Sequence, residues 1–242
     1  IIHSNRFDLP IHLYIEHRRN SRVSILKKSI NIRLPLFLNQ KKQKEEVERL
    51  LNWAAQRISE QKEKAAHQPT KNYWEDKYIE LYDGKWSIEY NQIKASGKVK
   101  LIIDDTERKL TFIGDFSSMK TSTINDFTST LIIKAFKKIY HKKIFNLLTQ
   151  INDKTVQKEF KSLKLKYTST RWGSCSSKKN INISIRLLLA PKAALEYVLL
   201  HELAHLIEMN HSAKFWNIVS TYMPNYRAQE LWLKQNSRNC DF

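Results

Sequence analysis

The chain has 242 residues, 41% of them hydrophobic and 11% aromatic, which excludes an intrinsically disordered segment and allows one large domain or two small ones. Its 42 Lys+Arg outnumber 24 Asp+Glu, a net charge of +18 that suits contact with a polyanion or serves solubility alone, since the lysines form no compact basic tract. Two cysteines, Cys175 and Cys240, lie far apart without CxxC spacing, so neither a disulfide framework nor a thiolate zinc site is expected.

No uninterrupted apolar run of about 18 residues and no secretory leader are visible, so the expectation is a cytoplasmic protein without a membrane span. Because the chain starts at Ile1 rather than methionine, a segment ahead of it is left open.

In chain order, "IHLYIEH" from Ile11, "RVSILKK" and "SINIRLP" alternate as strands of a small sheet, with Ile30, Ile32 and Leu34 on one face. Asn39 can cap the following helix, whose Val47, Leu50, Leu51 and Ala54 make an apolar stripe suited to covering that sheet. "YIELYDGKWSIEY", hinged at Asp83 and Gly84, then "GKVKLIIDD" and "RKLTFIG", read as more antiparallel sheet. From about Ser122 to Gln150 the apolar period becomes helical.

"KLKYTSTRWGSCSSKKNINISIRLLLAP" reads as two strands turning near Lys178 to Asn180, and Pro191 suits the first turn of the next helix. That helix carries "LLHELAHLIEMNHSAKFW", Leu199 to Trp216, which holds three of the chain's eight histidines.

His201, Glu202 and His205 form HExxH. Two histidines four apart share a helical face and can grip one ion, while Glu202 can reach a water bound to it. By residue frequencies alone such a match arises in roughly one or two of every hundred chains of this length. His211, six residues on, lies off that face unless the helix ends first. Asn210 can take a left-handed closing conformation and Ser212 can cap a new helix, which would swing His211 back to the ion.

Core histidines bonded to the backbone are the alternative. Burying two imidazoles and a carboxylate among leucines without partners costs about 1 to 3 kcal/mol each, and an ion removes that cost. Three imidazoles, an open position and a carboxylate describe a catalytic Zn2+ site. There the metal acidifies its water and Glu202 acts as the catalytic base of peptide hydrolysis. Nickel, cobalt or manganese would fit the same imidazoles.

From RWGSCS at Arg171 to Ser176, through "LAP", "YVLLHELAH" and "NHSAKFW" to "MPNY", the chain closely resembles the YgjP-like family of metal-dependent hydrolases, relatives of the SprT and WLM zinc peptidases. The likeness spans most of the chain, with its specificity concentrated in the last third.

The resemblance implies an α+β fold. A zincin-like catalytic part, with the HExxH helix packed on a mixed or antiparallel sheet, occupies 116–242, and an N-terminal β-rich subdomain with a covering helix occupies 1–115. It further implies zinc held by His201, His205 and His211, Glu202 as general base, and a strand beside the active helix that pairs with an extended polypeptide substrate. Glu208 stands where metzincins carry glycine, which argues against that subgroup and leaves the YgjP-like assignment intact.

Arg171 either stabilises an oxyanion or anchors the sheet. Tyr226 either donates to the transition state or is core, and Cys175 is expected to pack. The rival function is a basic nucleic-acid or partner-binding module on a zincin scaffold, with non-specific DNA contact through the +18 charge. Glu202 argues against it, because structural zinc needs no base.

Overall fold

The structure is a computed structural model that describes residues 7–26, 29–66, 71–94 and 99–242, with backbone alone over 61–66. The chain divides into two compact units, Ile1–Gln68 and Pro69–Phe242.

In the first unit β1 (Ile11–Glu16), β2 (Arg22–Ile25) and β3 (Ile30–Pro35) form a sheet in the order β1-β3-β2, with β3 parallel to β1 and antiparallel to β2. The alternation of Ile30, Ile32 and Leu34 puts all three on the buried face, where Leu50 and Leu51 of α1 (Gln40–Ala66) meet them. Asn39 starts that helix, its Oδ1 accepting the Lys42 N–H at 2.9 Å.

The second unit begins with a short helix α2 (Tyr73–Asp76) and a four-stranded sheet. Its strands are β4 (Tyr78–Leu81), β5 (Gly84–Gln92), β6 (Lys100–Asp104) and β7 (Lys109–Gly114), in the order β4-β5-β7-β6. Gly84, at φ 129°, makes the β4–β5 turn that residues with a Cβ rarely allow.

The expected all-antiparallel arrangement is corrected at the centre, where β5 and β7 run parallel. Burial explains the order. Leu110 and Phe112 of β7 are fully buried beside Trp86 and Ile88 of β5, whereas Ile102 and Ile103 of β6 stay exposed, as an outer strand allows.

Helix α3 (Thr121–Lys154) packs Phe136 and Tyr140 on this sheet within the same core. Trp86 Nε1 donates to the Tyr140 hydroxyl at 3.0 Å, and that hydroxyl donates to Asp83 Oδ1 at 2.8 Å, fastening the β4–β5 turn to the helix. The division expected at 115/116 therefore falls inside one core, and the observed division lies at 68/69 instead.

The last sheet, β8 (Ser162–Lys166), β9 (Gly173–Cys175) and β10 (Asn180–Ser184), is mixed, in the order β8-β10-β9. The hairpin expected here is β9–β10, with Lys179 left-handed at φ 59°. The single strand expected before the turn is two strands, β8 and β9, on opposite sides of β10. Ile185 and Leu187 are buried as the alternation implies, although they lie in a 3-10 turn, Ile185–Leu189, after β10 has ended.

Three helices complete the unit: α4 (Lys192–Ala204), α5 (Ala213–Tyr222) and α6 (Tyr226–Asn236). Pro191 stands just before α4, where its missing N–H leaves no intrahelical bond unmade. Leu195, Tyr197, Val198 and Leu200 are buried around most of the circumference of α4, so the helix is held by packing on several sides. The α+β class stands, and no described helix is long and apolar enough to cross a membrane.

Candidate metal centre

Helix α4 ends at Ala204, but His205 keeps helical angles of φ −65° and ψ −14°, and its N–H reaches the His201 carbonyl at 3.4 Å. His201 and His205 therefore share a face, with ring centroids 4.9 Å apart. The helix then closes by tight turns. Leu206 N–H bonds the Leu203 carbonyl at 2.9 Å, while Ile207 and Glu208 N–H both reach Ala204 at 3.0 Å.

These bonds satisfy the terminal carbonyls without a left-handed residue. Asn210 accordingly stays out of that conformation, contrary to expectation, and its N–H bonds Glu208 Oε1 at 3.3 Å. Ser212 does cap α5, its Oγ accepting the Phe215 N–H at 3.4 Å.

The reversal brings His211 back, its ring centroid 4.9 Å from that of His201 and 4.8 Å from that of His205. One ligand atom from each ring falls within 4.8 Å of the others. His205 Nδ1 lies 3.1 Å from the Glu208 carbonyl, a contact in which that nitrogen donates and leaves Nε2 with its lone pair. Phe215 walls the cluster, 4.6 Å from His205 and 4.7 Å from His211.

Burial pushes the His201 imidazolium down to about 3, with His205 and His211 adding repulsion. The same burial lowers His205, opposed in part by the Glu208 carbonyl. Neutral imidazole is the form that ligates metal.

His201 Nε2 and His211 Nε2 sit 2.9 Å apart, a contact in which one nitrogen must donate to the other. Two nitrogens on one tetrahedral zinc stand roughly 3.3 Å apart, so an ion fits once the rings part by a few tenths of an ångström. The donor set suits zinc.

Glu202, buried to 4% exposure, lies beside this cluster, and its Oε2 has no hydrogen-bond partner among the described residues. Burial raises its carboxyl to about 8, and the charge of Arg171 works against that rise. Gly173 of β9 is the residue that makes room. A Cβ there would stand 2.3 Å from Glu202 Oε1. The sequence reading overlooked Gly173; its signal is a glycine inside a strand, which marks a close approach.

Arg171 is exposed, and its carbonyl accepts from Thr168 Oγ1 at 2.9 Å. The anchoring role falls to Arg186, which the sequence reading passed over. Its guanidinium is buried, lies 4.9 Å from the ring centre of Trp172, and donates to the carbonyls of Cys240 at 2.7 Å, Ser169 at 3.2 Å and Ser237. No local signal marks it, because Arg186 falls on the polar phase of the alternation with Asn180, Asn182 and Ser184.

Tyr226 is buried. Its ring stacks on Trp216 at 5.3 Å and on Tyr197 at 6.2 Å, so it belongs to the aromatic wall behind the histidines. Burial, and then the nearby Glu202 charge, push the Cys175 thiol up to about 11, which leaves it unreactive at neutral pH.

A family model described as "YgjP-like, metallopeptidase domain" matches residues 19–236. No curated protein matches the sequence. Among solved structures, the chain is similar to the metallopeptidase zymogen of Methanocaldococcus jannaschii jannalysin, at 24% identity and a TM-score of 0.35 over 38% of this chain and 95% of that one. It is also similar to the metallopeptidase zymogen of Pyrococcus abyssi abylysin, at 23% identity and a TM-score of 0.35 over 39% of this chain and 93% of that one.

Proposed function

The chain belongs to the YgjP-like metallopeptidase family and is a metal-dependent peptidase, and from that premise we propose that it is a zinc enzyme cleaving extended polypeptides, with His201, His205 and His211 as ligands and Glu202 as the base. The observation that carries this reading is the buried, unpartnered Glu202 carboxylate oxygen beside three converging imidazoles. An isolated buried carboxylate is costly, and a proton-transfer role gives it a reason to be there.

When bound, zinc supplies a Lewis acid that polarises the scissile carbonyl and acidifies water. His205 is oriented by the Glu208 carbonyl, and Phe215 excludes solvent on its side of the cluster. Hydrolysis joins the water oxygen to the carbonyl carbon and breaks the C–N bond. A cation seated among the imidazoles would favour the ionised carboxylate, and Glu202 would then take a proton from that water and deliver it to the leaving amine nitrogen.

β9 is an outer strand of its sheet, so its free edge can pair with an extended peptide. The zincin-like part comprises the β8–β10 sheet with α4 and α5. A binding module without catalysis leaves the Glu202 arrangement unexplained, and the DNA reading rests on charge alone.

The deciding experiment measures bound metal and peptide-library hydrolysis for the wild type and Glu202→Gln. The expected result is about one zinc per chain in both proteins and hydrolysis in the wild type alone. Equal turnover would remove Glu202 from the mechanism, and absence of bound zinc would remove the ligand set.

A further inference from the structure

A recess of about 130 Å³ lies at the end of the β8–β10–β9 sheet, lined by Lys166, Thr168, Arg171, Ser174, Asn182 and Ser184 together with Gly173 and Ile183. Its lining holds two cations and no carboxylate. Among the described residues neither Lys166 nor Arg171 has a carboxylate within ion-pair distance.

The neutral groups also leave donors over. Ser184 Oγ donates to the Thr168 carbonyl at 3.1 Å, and Thr168 Oγ1 donates to the Arg171 carbonyl. Asn182 Nδ2 donates to Ser174 Oγ at 3.1 Å, so the Ser174 hydroxyl proton is free to bond elsewhere. Lys166, Arg171 and the Ser174 hydroxyl thus line a space that holds no carboxylate, a lining that suits an anion.

The position matters as much as the charge. Gly173 pairs with Ile183 and lies against Glu202, while Ser174 pairs with Asn182 and faces the opposite side of β9. The recess is therefore one residue across a free-edged strand from the proposed base.

We infer that this recess is a subsite that receives a carboxylate of the peptide substrate, either its C-terminus or an acidic side chain, while the scissile bond lies at Glu202. The inference rests on the peptidase reading above. The space admits a carboxylate, and the planar fork of Arg171 suits bidentate capture of one.

The test uses the full-length, zinc-loaded Glu202→Gln chain, which holds substrate without turnover, and follows backbone amide resonances of Gly173, Ser174 and Asn182. The probes are N-acetylated alanine peptides with a free C-terminus, with an amidated C-terminus, and with an amidated C-terminus plus one glutamate. Saturable shifts with either carboxylate-bearing peptide, and binding weaker by at least about tenfold for the fully amidated one, are expected. Which peptide binds identifies the source of the carboxylate.

Adding Lys166→Gln, at an exposed position, should abolish that preference without moving the thermal midpoint. Equal binding of all three peptides, no binding of any, a preference that survives Lys166→Gln, or tighter binding of a short oligothymidylate at these amides would each overturn the inference. Wild-type hydrolysis of the same peptides is measured in parallel, so loss of the peptidase reading shows as absent turnover and is distinguished from loss of the subsite.

Discussion

Gly173 and Glu202 occupy each other's space: the backbone of β9 passes so close to the end of α4 that a Cβ on residue 173 would lie 2.7 Å from the carboxyl carbon of Glu202. Gly173→Ala must therefore move the carboxylate or the strand. Misplacing a catalytic group by about 1 Å loses on the order of 100-fold in rate, so kcat should fall by that order while bound zinc stays at the wild-type level. Steady-state kinetics beside metal analysis decide it, and undiminished kcat would show that the strand, not the base, gives way.

His211 is exposed and comes from beyond the helix, whereas His201 and His205 are fixed by α4. Replacing it with alanine should leave two ligands in place and weaken zinc by more than about 100-fold, exceeding the loss typical of a group that merely orients a ligand. Competition with a chromogenic chelator measures this. An affinity within a fewfold of wild type would exclude His211 from the ligand set.

What could be read from the sequence was what depends on near neighbours along the chain. The four-residue spacing of His201 and His205, the Ser212 cap and the β9–β10 hairpin are set by local geometry, and the structure shows all three. The gathering of His211 with them needed only that the helix end in time. The ending differs from the expected one, because tight-turn bonds from Leu206, Ile207 and Glu208 make a left-handed Asn210 unnecessary.

Long-range relationships were not legible. The parallel pairing of β5 with β7 depends on which apolar face meets Trp86, and the 68/69 division depends on α3 sharing a core with β5. The contact of Gly173 with Glu202 joins residues with no local relation. Arg186 sits in an alternating run beside Ser184, the other buried polar residue there, and only the fold brings the carbonyls of residues 237 and 240 to it.

Arg186 makes its own prediction. It ties the C-terminal residues to the loop that enters β9 through a buried bond to the Cys240 carbonyl and part-buried bonds to the carbonyls of Ser169 and Ser237. Arg186→Leu keeps bulk but leaves these acceptors unpaired, at about 1 to 3 kcal/mol for each bond lost. Denaturant unfolding should show a loss of about 3 kcal/mol or more, with Arg186→Lys intermediate. A change below about 0.5 kcal/mol would mean that water replaces the guanidinium.

The metal-free protein should respond to pH in two opposite ways. His201 titrates near 3 when folded, against an ordinary value of 6.5. Between those values the unfolded chain binds a proton that the folded chain refuses, so stability falls as pH drops from 6.5 towards 3. Glu202 holds its proton to about 8 when folded, against an ordinary value of 4.5. Here the folded chain keeps a proton that the unfolded chain releases, so stability falls as pH rises from 4.5 to 8. Glu202→Gln removes only the second effect. Its free energy of unfolding should therefore match the wild type near pH 4.5, pull ahead as pH rises, and hold a constant lead above pH 8, a lead on the order of a few kcal/mol. Parallel melting curves of the two metal-free proteins across this range would reject the perturbed carboxyl.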